Sequence, residues 1–231
     1  MPIAQTHTLQ SKSVSNKSVQ RRSKGERTRE KILIAAIDVL AINGIKGTTH
    51  RAIASHADIQ LSLTTYYFKD IRELVLQAFQ LNSDYLRART EVILQKVFTS
   101  LENIDKKSLK KVSIKSELCE KLVDMTASYL LENIKQESVA LAVEQLMFIT
   151  VQVSPELKKL AYEHEQSQLE PFTKLARFFN KKDPEIDAQM MRTIFSQLQY
   201  SQLTVEPSKL SIEPIEKVTK KLMRWIMGLK N

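Results

Sequence analysis

Apolar residues recur every three or four positions along most of this chain, and no run alternates at period two. The pattern predicts helices and no sheet. The first spans Gly25 to Asn43, with Ile32, Ala36, Val39 and Leu40 on one stripe and Gly44 as a left-handed stop. A long helix runs from Ile71 to about Phe98, capped by Asp70, with Leu74, Ala78, Phe79, Tyr85 and Leu86 among its apolar positions. Residues 99–113 are polar and basic and read as a loop or a short helix. Further helices cover Ile114–Ile134, the strongly apolar Ser138–Val153, and Pro155 to about Asn180 with a break or kink near Pro171. Asp183-Pro184 opens another to about Leu203, and Ser211 to Leu229 is the last, with Pro214 tolerated in its first turn. The fold class is all-α, organised as a basic arm (residues 1–24), a three-helix N-terminal domain (25–75) and a larger C-terminal helical domain (76–231).

The stretch from Gly47 to Phe68, GTTHRAIASHADIQLSLTTYYF, supplies the second and third helices of the N-terminal domain. Thr48 or Thr49 offers a capping hydroxyl, and Ile53, Ala54 and Ala57 fall on one face. Asp58-Ile59-Gln60 makes a turn with Ile59 inward, and Ser62 to Phe68 forms the next helix, ending in Tyr66, Tyr67 and Phe68. The small Ala54 lets the two helices cross closely. This is the plan of a helix-turn-helix, whose second helix enters the DNA major groove. Three such helices bury little by themselves, so the first turns of the long helix are expected to pack beneath them.

The segments IAAIDVLAINGIKGTT, AIA, ADI, TTYYF and REL, in that order, resemble the tetracycline-repressor (TetR) family of bacterial transcriptional regulators over about residues 25–75. The chain departs from the family pattern at four positions. Asp58 replaces the usual turn glycine, Gln60 the usual capping Ser, Thr65 a phosphate-contacting Tyr, and Ile71 a frequent Lys, which moves one contact to Lys69. The resemblance implies that Thr49, Arg51, Tyr67 and Lys69 bind backbone phosphates and that Leu61, Ser62, Leu63, Thr65 and Tyr66 face the groove. For Leu61 and Leu63 packing is the other reading; if exposed, they would favour thymine methyl groups.

The formal charge is +9, from 35 basic and 26 acidic residues. Residues 1–24 hold five basic groups and no acid, whereas residues 25–75 hold seven basic and six acidic groups. Positive charge thus gathers at the helix-turn-helix end, as a DNA-binding footprint requires. Arg27, Arg29 and Lys31 oppose the macrodipole at the start of the first helix, either as a solvated end or as phosphate contacts. The Ser-rich arm has the look of an organelle transit peptide, but behind it stands a bacterial-type motif, so a disordered arm is preferred. One cysteine, Cys119, excludes an intramolecular disulfide and a Cys-based zinc site; it is expected in the core, in a reducing cytoplasm. No run of about twenty apolar residues is present, so no membrane partner is expected.

The sequence has no Gly-rich phosphate loop, G-x-S-x-G, H-E-x-x-H or Cys-His grouping, so neither catalysis, a cofactor nor a metal is expected. His7 lies in the arm, His50 and His56 stand six apart, and His164 is expected on a solvated face. Near the C-terminus, Ile215, Val218, Leu222, Trp225 and Leu229 step by three and four, and Ile186, Met190, Ile194 and Leu198 step by four. One face of each helix serves the core. The resemblance implies that the other forms a four-helix homodimer interface, with Ile194, Leu198, Val218, Leu222 and Trp225 as candidates. Glu144, inside an apolar helix, lies either on a solvent stripe with Ser138, Gln145, Gln152 and Glu156 or in an effector pocket. Met125, Tyr129, Met147, Phe148 and Phe172 would line that pocket, and its carboxylate would favour a cationic or hydrogen-bond-donating ligand.

The function expected is a dimeric, sequence-specific repressor in the bacterial cytoplasm, bound to the nucleoid through a two-fold DNA operator and released by a small-molecule effector. The alternative is a DNA-bound architectural or division-control protein acting through a protein partner without an effector.

Overall fold

The computed structural model describes residues 24–102, 104, 105 and 107–230. The arm and His7 lie outside them, apart from Lys24. The described residues form nine α-helices, three short 3-10 turns and no strand. They divide into two compact units, one through Ala78 and one from Phe79 onward; the sequence placed this division after residue 75.

The first unit contains α1 (Lys24–Gly47), α2 (His50–His56), α3 (Leu61–Tyr67) and the opening turns of α4 (Ile71–Glu102). Ile32, Ala36, Val39 and Leu40 are all buried. Gly44 leaves helical geometry at φ 63°, where the stop was expected. The Thr49 hydroxyl accepts the Ala52 amide at 3.1 Å and so caps α2, while Thr48 donates to the Gly44 carbonyl. His56 Nε2 lies 3.0 Å from the Asp38 carboxylate and ties α2 to α1. Asp58 has φ 50°, the left-handed conformation that a turn glycine would adopt freely. Asp70 accepts the Arg72 amide at 2.8 Å, and Leu74 and Ala78 in the first turns of α4 are fully buried.

The second unit holds the rest of α4, then α5 (Val112–Gln136), α6 (Ser138–Ile149), α7 (Pro155–Phe179), α8 (Pro184–Gln202) and α9 (Glu213–Ile226). In it α7 packs along α8 and α5 along α9. Leu118, Cys119, Leu122, Ala176, Met191 and Ile215 form the centre of the core. Burial raises the Cys119 thiol pKa above its ordinary value, consistent with the packing role expected of it.

Three expectations change. Residues 99–113, read as a loop or a short helix, are shared among three elements: α4 continues to Glu102 because Leu101 is buried, a short 3-10 turn forms at Ser108–Lys110, and α5 begins at Val112. The apolar segment from Ser138 buries Ala140, Leu141, Val143, Glu144 and Met147 but ends exposed, with Ile149 72% and Val153 62% accessible. Helix α7 runs through Pro171 without a break, capped as expected by the Ser154 hydroxyl on the Leu157 amide at 3.1 Å. Its neighbours on α8 hold the chain helical, although proline denies the Ser167 carbonyl its usual amide. Among the described residues, no helix is long and apolar enough to cross a membrane.

Candidate functional site

The outer surface of α3 follows from which residues its packing uses. Thr64 and Phe68 are the anchors, at 0% and 1% exposure. Helical geometry then turns Leu61, Ser62, Thr65 and Tyr66 away from the unit; Tyr66 is 77% and Leu61 42% exposed. The packing reading of Leu61 therefore does not hold, while Leu63 and Tyr67 are half-buried. The Tyr66 and Tyr67 rings meet edge to face at 5.1 Å, which steadies the end of the helix. Thr49, Arg51 and Lys69 are exposed. Arg29 lies 5.1 Å over the Phe68 ring and donates to Gln77; like Arg27 and Lys31 it is exposed.

The second unit holds a partly open cavity of ~70 Å³. Tyr129, Glu144 and Phe172 line it, and Met125, Met147 and Phe148 do not. Met125 packs on the core, Met147 is buried at 2% exposure, and Phe148 lies against the His164 ring with centroids 5.9 Å apart. Of the two readings of Glu144, the cavity position stands and the solvent stripe does not. It is 5% exposed, so it belongs to no solvent stripe. Nor is it an idle anion, because its Oε1 accepts from Arg192 Nη2 at 2.9 Å and from His164 Nε2 at 2.7 Å. His164, expected in solvent, is 2% exposed, and its other ring nitrogen meets the Ser83 hydroxyl at 2.6 Å.

Burial pushes the Glu144 carboxyl pKa up, but the hydrogen bond from His164 and the Arg192 charge outweigh it and hold the group below the ordinary carboxylate value. For Arg192, burial disfavours the charge, and Glu144 and Glu165 more than restore it. The Arg192–Glu165 distance is 3.5 Å. Asn133 extends the polar wall, accepting from Arg89 Nη2 at 3.0 Å and donating to Gln199 at 3.3 Å. Sequence reasoning missed Arg192, Asn133, Gln168 and Gln199 as wall residues. Among the described residues no group of three or more His, Cys, Asp or Glu side chains is placed to hold a metal.

The candidate dimer residues separate by burial. Val218 (40%) and Trp225 (54%) face outward, Ile194 and Leu198 are half-buried, and Leu222 is 4% exposed. Ile215 and Leu229 are also core, so the apparent heptad seam of the last helix is two surfaces rather than one. A groove of ~450 Å³ runs between α8 and α9, lined by Met190, Ile194, Val218, Leu222 and Trp225 and flanked by Lys217 and Lys221.

No protein-family model and no curated protein matches the chain. Solved structures do. A protein described as a transcriptional regulator from Rhodococcus sp. Rha1 superposes with a TM-score of 0.67 at 16% identity, over 87% of this chain and 96% of its own. One described as a TetR-family transcriptional regulator from Mesorhizobium loti gives 0.58 at 16% identity, over 90% and 98%. A third, described as a transcriptional regulator from Saccharomonospora viridis and solved in complex with choline, gives 0.60 at 16% identity, over 86% and 96%. The all-α fold expected from the sequence is thus that of TetR-family transcriptional regulators, as the motif in residues 25–75 implied.

Proposed function

We propose that this chain is a DNA-binding transcriptional regulator of the TetR type, acting in the bacterial cytoplasm as a homodimer on a two-fold operator. The observation that carries the reading is the outer surface of α3. Leu61, Ser62, Thr65 and Tyr66 are exposed on the second helix of a helix-turn-helix, where packing alone asks for no such set. Arg51, Lys69, Thr49 and Tyr67 would hold phosphates and fix the register. An exposed Leu61 would read a thymine methyl rather than a polar base edge.

The cavity of the second unit supports control by a small effector, and a protein of the same fold has been solved with a small molecule, choline. Such a ligand acts only if it binds the DNA-competent and released conformations unequally. Helix α4 supplies residues to both units, so a change in its tilt would alter the separation of two recognition helices that must match half-sites about 34 Å apart. The outward residues of α8 and α9 would join the two copies.

Selection of bound sequences from a random DNA pool tests the reading. The expected product is an inverted repeat with half-site centres about 10 base pairs apart, or a multiple of that. Recovery of no enriched sequence would overturn it.

A further inference from the structure

The wall of the cavity is selective about charge. Glu144 and Arg192 are the two charged residues lining it, and they meet each other at 2.9 Å. A cationic ligand would have to share Glu144 with an arginine that keeps its proton throughout the working pH range. An anionic one would reach Arg192 only against Glu144 and Glu165. Either outcome leaves an excess charge in a site with little water, which is strongly disfavoured.

Gln168 is a wall residue whose side-chain amide is unused. It is 5% exposed, and among the described residues its side-chain amide neither donates nor accepts a hydrogen bond. Among other buried groups in the wall, Asn133 bonds Arg89 and Gln199, Ser196 the Arg192 carbonyl, and Glu144 both Arg192 and His164, while Arg192 Nε has no partner. Buried amides in folded proteins are bonded as a rule, so an idle donor and acceptor side by side call for a partner offering the converse pair. Phe172, Leu94, Leu175 and Met223 supply apolar surface in the same cavity.

Gln168 and Thr90 also line an outer cleft of ~160 Å³ between α4 and α7, so they form the partition between cavity and cleft. Ser167 and Pro171 stand in that cleft, on the turn of α7 that lacks one backbone hydrogen bond. A ligand therefore has a short way in, across the weakest turn of the wall. The ~70 Å³ is several times the ~10–15 Å³ that one water needs by the same measure, so a molecule of a few heavy atoms fits without the partition opening.

We propose that the cavity takes a small uncharged molecule with an amide-like donor–acceptor pair beside a short apolar group, and that Gln168 selects it. The proposal rests on the effector reading only for what occupancy does to DNA binding; the site itself is read from the wall.

Propionamide, propionamidinium and propionate are planar, nearly isosteric probes that differ in charge. Each is titrated into the full-length protein while the methyl signals of Leu94, Leu175 and Met223 are followed by NMR. Propionamide should shift these methyls, and the two ions should bind at least about tenfold more weakly. Gln168→Leu should weaken propionamide about tenfold, the worth of a lost hydrogen-bonded pair, while the spectrum of the free protein keeps its dispersion. Gln168→Glu, a second variant, should transfer the preference to propionamidinium. Equal or tighter binding of either ion by the unaltered protein overturns the proposal, and so does unchanged propionamide affinity in Gln168→Leu. No shift with any probe at ~100 mM, about the weakest affinity expected for five heavy atoms, also overturns it, the cavity then being a packing void. DNA binding is not read in this titration. A protein that takes propionamide but enriches no DNA sequence sinks the regulator reading and leaves the site standing.

Discussion

At the scale of single residues, Glu144 shows what a sequence can and cannot disclose. Its oddity was legible, since it is one carboxylate among Ala140, Leu141, Met147 and Phe148. Its partners were not, because His164 and Arg192 lie 20 and 48 positions away and meet it only after α6, α7 and α8 have packed. A faint signal existed. Ala188, Arg192, Phe195 and Gln199 share one helical stripe, as do Leu157, Leu160, His164 and Gln168, and a polar residue in a buried register implies a buried partner. The pairing has a consequence for pH. The folded-state pKa of Glu144 is depressed, so the unfolded chain takes up its proton first, near the ordinary value of about 4.3. The stability contributed by Glu144 is therefore complete above that pH and is lost as the pH falls through the lower folded value. Glu144→Gln leaves the buried Arg192 with only the more distant, partly exposed Glu165 as counter-charge and should cost about 3 kcal/mol at neutral pH. Urea unfolding of the two proteins at a series of pH values checks this. The gap between them should be flat from neutrality to about pH 5 and narrow below about pH 4; a gap that persists in acid would mean that Glu144 does not contribute as a charge.

At the scale of elements, the helices themselves were the most legible part, because a 3.6-residue period sustained over a dozen or more positions arises from little except a helix with one buried face. Their ends were less so. The extension of α4 to Glu102 depends on Leu101 finding the core, and the continuity of α7 through Pro171 depends on α8, neither of which the local sequence states. Helix α3 keeps a mark of its departure from the family pattern. Gln60 occupies its N-cap and makes no side-chain cap, so the first amides of the helix have no side-chain acceptor from that position. Gln60→Ser should restore one and raise stability by about 1 kcal/mol, read as a higher urea midpoint with an unchanged slope. A midpoint that stays put would show that the seven-residue helix is held wholly by Thr64 and Phe68. On the same surface, Arg51→Ala should weaken binding to all DNA sequences about equally and reduce the salt slope by about one, as expected for one phosphate contact. A changed base preference at constant slope would assign Arg51 to reading bases instead.

At the scale of the whole molecule, the question is how a chain of this kind becomes a two-fold reader of DNA. The last helix looked like a single heptad seam because Ile215, Val218, Leu222, Trp225 and Leu229 are evenly spaced, and spacing alone cannot divide a stripe between core and surface. The structure divides it: Ile215, Leu222 and Leu229 hold the core, while Val218 and Trp225 stand outside beside Ile194 and Met190. Two substitutions on one helix therefore separate folding from assembly. Leu222→Glu puts a charge where 4% of the side chain is accessible, costing several kcal/mol, and should unfold the second unit. Trp225→Glu puts the same charge on a residue that is 54% exposed in the single chain, so folding should be nearly unaffected. In a homodimer the same position would be desolvated opposite its own symmetry mate, and two like charges brought together there should prevent association. The expected product is a folded monomer by light scattering and circular dichroism, with operator affinity reduced because one half-site offers half the contacts. A Trp225→Glu protein that still sediments as a dimer would move the interface off this groove, and the two-fold operator would have to be explained through another face.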